Sequence, residues 1–118
     1  MTDALYHELI LDLNRFPLNK KKLGKFDFRN RAHNPLCGDT VEIFIKFDGD
    51  KIADIAWQGE GCAISTASAS LLTDFLKNKN KSEIKKLTQA KVLKLLGLKK
   101  INPTRLRCAL LALKCLCP

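Results

Sequence analysis

The first hydrophobic pattern along the chain has the spacing of an amphipathic helix. Between residues 5 and 16 apolar residues recur three and four positions apart, and a polar residue that can cap a helix precedes them. Pro17 and the basic run that follows it end the pattern. We therefore predict a helix over residues 3–15.

The period of the pattern changes to two after Gly24, which is typical of β-strands. Phe26 and Phe28 alternate with charged neighbours, so we predict a first strand that runs to about His33 and stops before Pro35.

Two further alternating runs, at residues 41–47 and 53–57, predict a β-hairpin, because the turn signal Asp48-Gly49 lies between them. The apolar positions that we expect to face the core are Val41, Ile43, Ile45, Phe47, Ala53, Ile55 and Trp57.

The pattern is helical again after Gly61. We predict a long helix over residues 63–76, a short one over 82–87 capped by Ser82, and another over 90–96 ended by Gly97. Asn102-Pro103 starts a final helix. Its expected core-facing residues are Leu106, Ala109, Leu110 and Leu113.

These elements predict an α+β fold, a three-stranded antiparallel sheet packed against helices. The length of 118 residues fits a single domain over residues 1–118. The longest apolar stretch is interrupted by Lys114 and is far shorter than the roughly 20 residues that cross a bilayer. A basic start followed by a hydrophobic run is also missing, so we expect a cytoplasmic protein without a membrane partner.

The net charge of +9 raises the question of a nucleic-acid partner. Sixteen of the 21 cations are lysines, whereas base-reading sites favour arginine. The lysines are scattered, and aromatic residues do not alternate with them along the sequence. We therefore favour a solvated lysine-rich surface over a nucleic-acid interface.

Five cysteines without a visible secretory signal favour metal or thiol chemistry over a disulfide framework. They occupy positions 37, 62, 108, 115 and 117, and no two of them form a C-x-x-C pair. Cys115 and Cys117 are two residues apart at the end of the sequence and cannot share a helix face, so we interpret them as tail thiols.

Cys37, Cys62 and Cys108 lie at the ends of predicted elements and are 25 and 46 residues apart, so only tertiary folding can bring them together. Nearby glycines should let main-chain amides approach the sulfurs of Cys37 and Cys62, and the start of a helix at Cys62 favours a thiolate. Asp39 adds an oxygen ligand. Three thiolates and a carboxylate can complete a tetrahedral zinc site or a labile site for iron and sulfide.

Each of these residues also has an ordinary structural interpretation. A cysteine beside a glycine is more often a small buried hydrophobe, and an aspartate in a turn more often bonds its own backbone. His33 is expected to be a plain strand-end residue rather than a ligand. Only the combination of residues favours a metal site.

Three motifs, in this order, resemble those of one known family. They are Asn34-Pro-Leu-Cys-Gly-Asp39, Gly59-Glu-Gly-Cys-Ala-Ile-Ser65 and Pro103-Thr-Arg-Leu-Arg-Cys-Ala109. Together they resemble the U-type iron-sulfur cluster assembly scaffolds, the NifU-like, IscU and SufU proteins. The resemblance covers nearly the whole chain and implies a single SufE/NifU-like domain.

The resemblance implies roles for four residues. Cys37, Cys62 and Cys108 would hold zinc or a [2Fe-2S] cluster, and Asp39 would tune or ligate it. A cysteine desulfurase of the SufS or IscS type would deliver persulfide sulfur to Cys108 or Cys37. The chain would then pass a labile cluster, or sulfur, to apo iron-sulfur proteins or downstream carriers.

Two departures concern the branch of the family. Arg107 stands where IscU proteins have a histidine before the third cysteine, and residues 101–105 do not resemble the Leu-Pro-Pro-Val-Lys segment of IscU. Both features favour the SufU branch, which implies zinc-dependent sulfurtransferase activity. However, the 46-residue spacing between Cys62 and Cys108 is too short for the insertion of SufU proteins.

Two other classes of function stay open at this point. One is a zinc-stabilised basic module that contacts nucleic acid, whose affinity would fall steeply with salt. The other is a thiol redox protein, which the absence of a vicinal cysteine pair disfavours.

Overall fold

A three-stranded antiparallel sheet, whose strands lie side by side in chain order, forms the centre of the fold, as the α+β prediction required. The structure, a computed structural model, describes residues 3–35, 38–98 and 101–117. Its strands are β1 (Phe28–Asn34), β2 (Asp39–Asp48) and β3 (Lys51–Glu60). Its helices are α1 (Asp3–Arg15), α2 (Ala63–Leu76), α3 (Ser82–Lys85), α4 (Gln89–Leu96), α5 (Pro103–Ala109) and α6 (Leu111–Leu116).

The first strand begins later than predicted. β1 starts at Phe28, while Phe26 lies before it and packs its ring edge-on against Phe44, with the ring centroids 5.3 Å apart. Phe44 lies on the opposite side of β2 from Ile43 and Ile45 and is nevertheless buried. Phe26 therefore helps to cover the outer face of the sheet.

The β2–β3 hairpin is confirmed, with two corrections. Asp48 pairs with Lys51, so the turn consists of residues 49–50, one position later than predicted. The pairing register also shifts between Lys46 and Phe47, which is a bulge-like irregularity. This shift reverses the expected alternation at the start of β3. Ala53 is consequently exposed, and Ile52 takes the expected core position.

The core lies between the sheet and α2. Leu72 and Leu76 of α2 are fully buried in one cluster with Ile43 and Trp57 of the sheet. Val92 and Leu96 of α4 extend the same cluster. The predicted bounds of α1 and α2 are confirmed.

The cap predicted for α3 is wrong. The carboxamide oxygen of Asn80 accepts the backbone N–H of Ser82, while the Ser82 side chain caps nothing at the helix start. The predicted end of α4 is confirmed, because Gly97 adopts a left-handed conformation with φ 73°. None of the helices that the structure describes is long and apolar enough to cross a membrane.

The predicted final helix is two helices, α5 and α6, separated at Leu110. Ala109 is buried as predicted, but Leu106, Leu110 and Leu113 are only partly buried. The fully buried positions of α6 are Leu111, Ala112, Cys115 and Leu116. The break therefore gives α6 a different buried face from the one that a continuous periodicity predicts.

Candidate metal centre

Three of the four predicted ligands come together in the structure. The ligand atoms of Asp39, Cys62 and Cys108 all lie within 4.8 Å of one another. Asp39 begins β2, Cys62 precedes α2 and Cys108 lies near the end of α5. Cys37, the fourth predicted ligand, lies outside the described residues, so its place at the site stays a prediction.

The carboxylate of Asp39 is buried and accepts hydrogen bonds at both oxygens. Its Oδ1 accepts the backbone N–H of Cys62 at 3.2 Å, and its Oδ2 accepts the hydroxyl of Ser65 at 2.5 Å. Only 3% of Asp39 is exposed. A buried carboxylate with such partners is held in one orientation, which disagrees with the interpretation of Asp39 as a plain turn residue.

Two glycines near Cys62 have close neighbours, which differ from the sulfur contacts expected of them. A Cβ at Gly61 would lie 2.8 Å from Asp39 Cγ, so this position leaves space for the carboxylate rather than for a sulfur. A Cβ at Gly59 would lie 2.0 Å from the Thr40 carbonyl oxygen, and Gly59 has a φ of 151°. A side chain at position 59 is therefore excluded by the backbone, whereas one at position 61 would displace the carboxylate of Asp39.

Cys62 occupies the N-cap position of α2 with an extended backbone. Its thiol is partly buried and lies 3.6 Å from the hydroxyl of Ser65, and it makes no capping hydrogen bond. The helix N-terminus beside this sulfur favours negative charge, which is what a metal-binding thiolate requires.

Cys108 is buried, and its thiol lies 3.7 Å from the carbonyl oxygen of Thr104. Two serines of α2 contact the carbonyls at the end of α5. The hydroxyl of Ser68 donates to the Ala109 carbonyl at 2.6 Å, and that of Ser65 lies 3.3 Å from the Cys108 carbonyl. The hydrogen bond of Ser68 satisfies a carbonyl at the end of the helix, and both contacts help to fix α5 beside α2.

Sequence reasoning missed the two serines. Their signal was the Ser65-x-x-Ser68 spacing, which places two hydroxyls on the same face of α2, next to a candidate ligand. The sequence of an amphipathic helix does not indicate which backbone carbonyls its serine hydroxyls contact in the folded protein.

The interpretation of Cys115 as a tail thiol is wrong. Cys115 is fully buried in the core, and its thiol donates to the carbonyl oxygen of Asn30 at 3.0 Å, while the carbonyl oxygen of Val41 lies 3.6 Å away. Burial raises the pKa of Cys115 to about 11. Cys117 is exposed, as expected, and its thiol donates to the Ile84 carbonyl at 3.4 Å.

Comparison of the sequence with known protein families gives a match over nearly the whole chain. The model of the NifU-like N terminal domain matches residues 5–117. The chain belongs to this family.

Two relatives of this NifU-like chain have names that state a function. The iron-sulfur cluster assembly scaffold protein IscU of Streptococcus pyogenes serotype M1 is 42% identical over 79 residues, which are 67% of this chain and 49% of that protein. The zinc-dependent sulfurtransferase SufU of Bacillus subtilis strain 168 is 41% identical over 78 residues, which are 66% of this chain and 52% of that protein. This chain thus spans about half the length of each.

A solved structure of similar fold covers almost the entire NifU-like chain. It is a candidate iron-sulfur cluster assembly scaffold protein for the SUF system from Fervidobacterium islandicum AW-1, with a TM-score of 0.80 and 27% identity. The match covers 98% of this chain and 96% of that one. The family model and these relatives give the nucleic-acid alternative no support.

The donor set of the NifU-like chain fits a thiophilic metal. Ligand bonds of about 2.0–2.3 Å in a tetrahedral site place the ligand atoms roughly 3.3–3.8 Å apart. The ligand atoms of Asp39, Cys62 and Cys108 lie no more than 4.8 Å apart, which is at most about 1 Å above this range. Thiolates favour zinc or iron-sulfur clusters over magnesium or calcium. In the described part of the chain this is the one group of histidine, cysteine and acidic side chains with such geometry.

The residue that precedes Cys108 lines a cationic cavity. Arg107 and Lys114 line a space of about 330 Å³ together with His33, Asn34, Pro35 and Leu111, and none of the lining residues is acidic. His33 is thus a cavity residue and does not belong to the metal group.

Proposed function

We propose that this chain is an iron-sulfur cluster assembly scaffold or sulfur acceptor. It takes persulfide sulfur from a cysteine desulfurase and passes sulfur, or a labile [2Fe-2S] cluster, to apo-proteins. Its relatives include proteins named for both roles, a cluster assembly scaffold and a zinc-dependent sulfurtransferase. The two relatives are almost equally similar to this chain, so identity alone does not favour one role.

The observation that carries the proposal is the convergence of Asp39, Cys62 and Cys108 from three separate elements. We expect Cys37 to complete the set, because it precedes Asp39 by only two residues in the sequence. Zn²⁺ bound by these residues would supply a Lewis acid that holds thiols in the thiolate form. The [2Fe-2S] cluster is the cargo.

The sulfur step that we propose uses a thiolate of this chain as the nucleophile. The Cys37 or Cys108 thiolate attacks the outer sulfur of the desulfurase persulfide. A new S–S bond then forms on this chain, the S–S bond of the donor breaks, and the desulfurase cysteine leaves as a thiolate. The transferred sulfur carries its own proton, so no external oxidant or reductant is required.

Burial determines what this step demands of each cysteine. Only 3% of Cys108 is exposed, so a protein-bound persulfide reaches its sulfur only after neighbouring residues move. Cys62, at the N-cap of α2, is more exposed than Cys108. The cavity beside Arg107 offers a cationic surface next in sequence to Cys108, which suits an acidic surface of the donor protein.

The test combines metal analysis with sulfur transfer. The full chain is purified aerobically, its zinc and iron are quantified, and an absorption spectrum is recorded. It is then incubated with a cysteine desulfurase and L-cysteine, and intact mass and peptide mass spectra locate any added sulfur. Cys117→Ser serves as the matched control, because it removes an exposed thiol that lies outside the metal group.

We expect an added mass of one sulfur on Cys37 or Cys108 in the parent and in the control. Bound zinc without any sulfur acceptance or cluster assembly would contradict the proposed function and leave only a structural metal site.

A further inference from the structure

The hydroxyl of Ser65 contacts all three described members of the candidate metal centre. It donates to Asp39 Oδ2 at 2.5 Å, lies 3.6 Å from Cys62 Sγ and lies 3.3 Å from the Cys108 carbonyl oxygen. Ser65 is itself buried, with 2% of its surface exposed.

We propose that Ser65 is a positioning residue that holds Asp39 in the geometry required for metal binding. The inference rests on the proposed function, because it takes Asp39 to be a ligand. Ser65 does not itself bind the metal in this proposal. It acts through the carboxylate.

The hydrogen bonds of Asp39 give the physical reason. A hydroxyl carries one proton, and the contact of Ser65 with Asp39 is much shorter than its contact with the Cys108 carbonyl. Its proton therefore goes to Oδ2, where charge makes the bond stronger. Oδ1 accepts the longer and weaker hydrogen bond, from the Cys62 nitrogen at 3.2 Å. It is therefore the oxygen that can more easily exchange its hydrogen bond for a bond to a metal.

This arrangement makes Asp39 a ligand with one oxygen anchored. Both hydrogen-bond donors belong to the start of α2, so the orientation of the carboxylate follows the helix that also carries Cys62. Partners of this kind typically change metal affinity by about 10- to 100-fold when they are removed. Without the Ser65 hydroxyl, the carboxylate would lose rotational freedom only when the metal binds, and this loss of entropy would lower the affinity for the metal.

Ser68 offers a matched control on the same helix. It is also buried, and its hydroxyl donates to the Ala109 carbonyl at 2.6 Å, one residue beyond the carbonyl that Ser65 contacts. Removing either hydroxyl therefore takes away a polar contact with the end of α5. Only the removal of the Ser65 hydroxyl takes a hydrogen bond from Asp39.

The experiment compares Ser65→Ala with Ser68→Ala in the full chain. Zinc affinity is measured by competition with a chromophoric chelator, and the melting temperature of the metal-free protein is measured alongside. Ser65→Gly, which also lacks the hydroxyl, is the second variant in case Ser65→Ala does not fold. The pair is repeated in an Asp39→Ala background.

We expect Ser65→Ala to lower zinc affinity by about 10- to 100-fold and Ser68→Ala to change it by less than about threefold. The Ser65→Ala effect should disappear in the Asp39→Ala background, because the carboxylate that it positions is gone. Equal losses of affinity in the two serine variants, or an undiminished Ser65→Ala effect without Asp39, would overturn the inference.

Failure of the inference is distinguishable from failure of the proposed function. A parent protein that binds zinc and accepts sulfur, with no difference between the serine variants, contradicts only the role of Ser65. A parent that binds no zinc contradicts the proposed zinc site and the role of Ser65 together.

Discussion

Cys108 and Cys115 lie on consecutive short helices, are both buried and have entirely different surroundings. Cys108 lies beside the carboxylate of Asp39 and the thiol of Cys62. Cys115 exchanges hydrogen bonds with Asn30: its thiol donates to the Asn30 carbonyl, and its own carbonyl accepts the Asn30 side-chain amide at 2.9 Å. One thiol has potential ligands as neighbours, whereas the other has backbone carbonyls and the core.

The difference shows that burial alone does not identify a functional cysteine. Both thiols are almost inaccessible, yet only Cys108 has other candidate ligand atoms within reach of one ion. A buried thiolate is stable only beside a cation or a set of donors, so the surroundings of Cys115 keep its proton on the sulfur. We therefore expect α5 to contribute a metal ligand and α6 to contribute to the stability of the core.

The largest effect should separate Cys108→Ser from Cys115→Ser. The first change removes a soft ligand, and we expect zinc affinity to fall on the order of 100-fold or more. The second change retains a hydroxyl that can donate to the same carbonyl and should leave one zinc bound. Zinc stoichiometry and chelator competition measure both. Retention of full affinity by Cys108→Ser would reverse our assignment of the two cysteines.

A smaller effect should come from Gly61→Ala. The added Cβ would lie 2.8 Å from Asp39 Cγ, so the carboxylate must shift, and we expect zinc affinity to fall by about tenfold. Gly24→Ala is the control, because nothing lies within 4 Å of a Cβ there. If Gly61→Ala binds zinc like Gly24→Ala, the position of the carboxylate does not limit binding.

Much of the fold was predictable because local signals agreed with tertiary packing. The apolar stripe of α2 and the left-handed Gly97 depend on neighbours close in sequence. The bulge that buries Ile52 and the break after Ala109 accompany contacts between distant segments, because Ile52 exchanges backbone hydrogen bonds with Asn78 and Lys79 and Ser68 donates to the Ala109 carbonyl. A periodicity cannot anticipate such interruptions.

The candidate site was predictable as a set of residue types rather than as a geometry. Spacing and chemistry singled out Asp39, Cys62 and Cys108, which the structure brings together. The hydroxyl of Ser65 and the space left by Gly61 were not predictable, because their roles depend on the path of the Asp39 side chain.

The lysines give a second example of contacts that the sequence conceals. Lys79 and Lys91 both lie over the ring of Phe75, at 5.4 Å and 4.3 Å from its centroid, and Lys20 lies 5.2 Å from the centroid of Trp57. Aromatic rings thus accompany these cations in space although they do not alternate with them along the chain. Part of the positive charge covers the protein's own apolar surface.

Cys115→Ala should reduce stability without affecting the metal. It removes a fully buried sulfur and its contacts with two carbonyls, so we expect the free energy of unfolding to fall by about 1–2 kcal/mol. Denaturant unfolding of the metal-free protein measures this, and Cys117→Ser, at an exposed position, should change it by less than about 0.5 kcal/mol. An equal loss in both variants would contradict the core role of Cys115.

The last expected effect is a dependence of that stability difference on pH. Burial raises the pKa of Cys115 from an ordinary value of 9.0 to about 11. Below pH 9.0 the thiol is protonated in both the folded and the unfolded chain, so its full contribution to stability is present. Between pH 9.0 and about 11 the unfolded chain releases the proton while the folded chain retains it, so stability falls as the pH rises.

Cys115→Ala lacks this titration, and all other ionisable groups are shared with the parent. The stability advantage of the parent over Cys115→Ala should therefore shrink as the pH rises through that interval and then level off, when both are compared by denaturant unfolding under reducing conditions. Cys117→Ala is measured in parallel, because burial also raises the pKa of Cys117 and its removal shows how much of the slope belongs to that thiol. A difference between parent and Cys115→Ala that stays constant across the interval would mean that Cys115 ionises as readily in the folded chain as in the unfolded one, and the contrast with Cys108 would then lose its electrostatic basis.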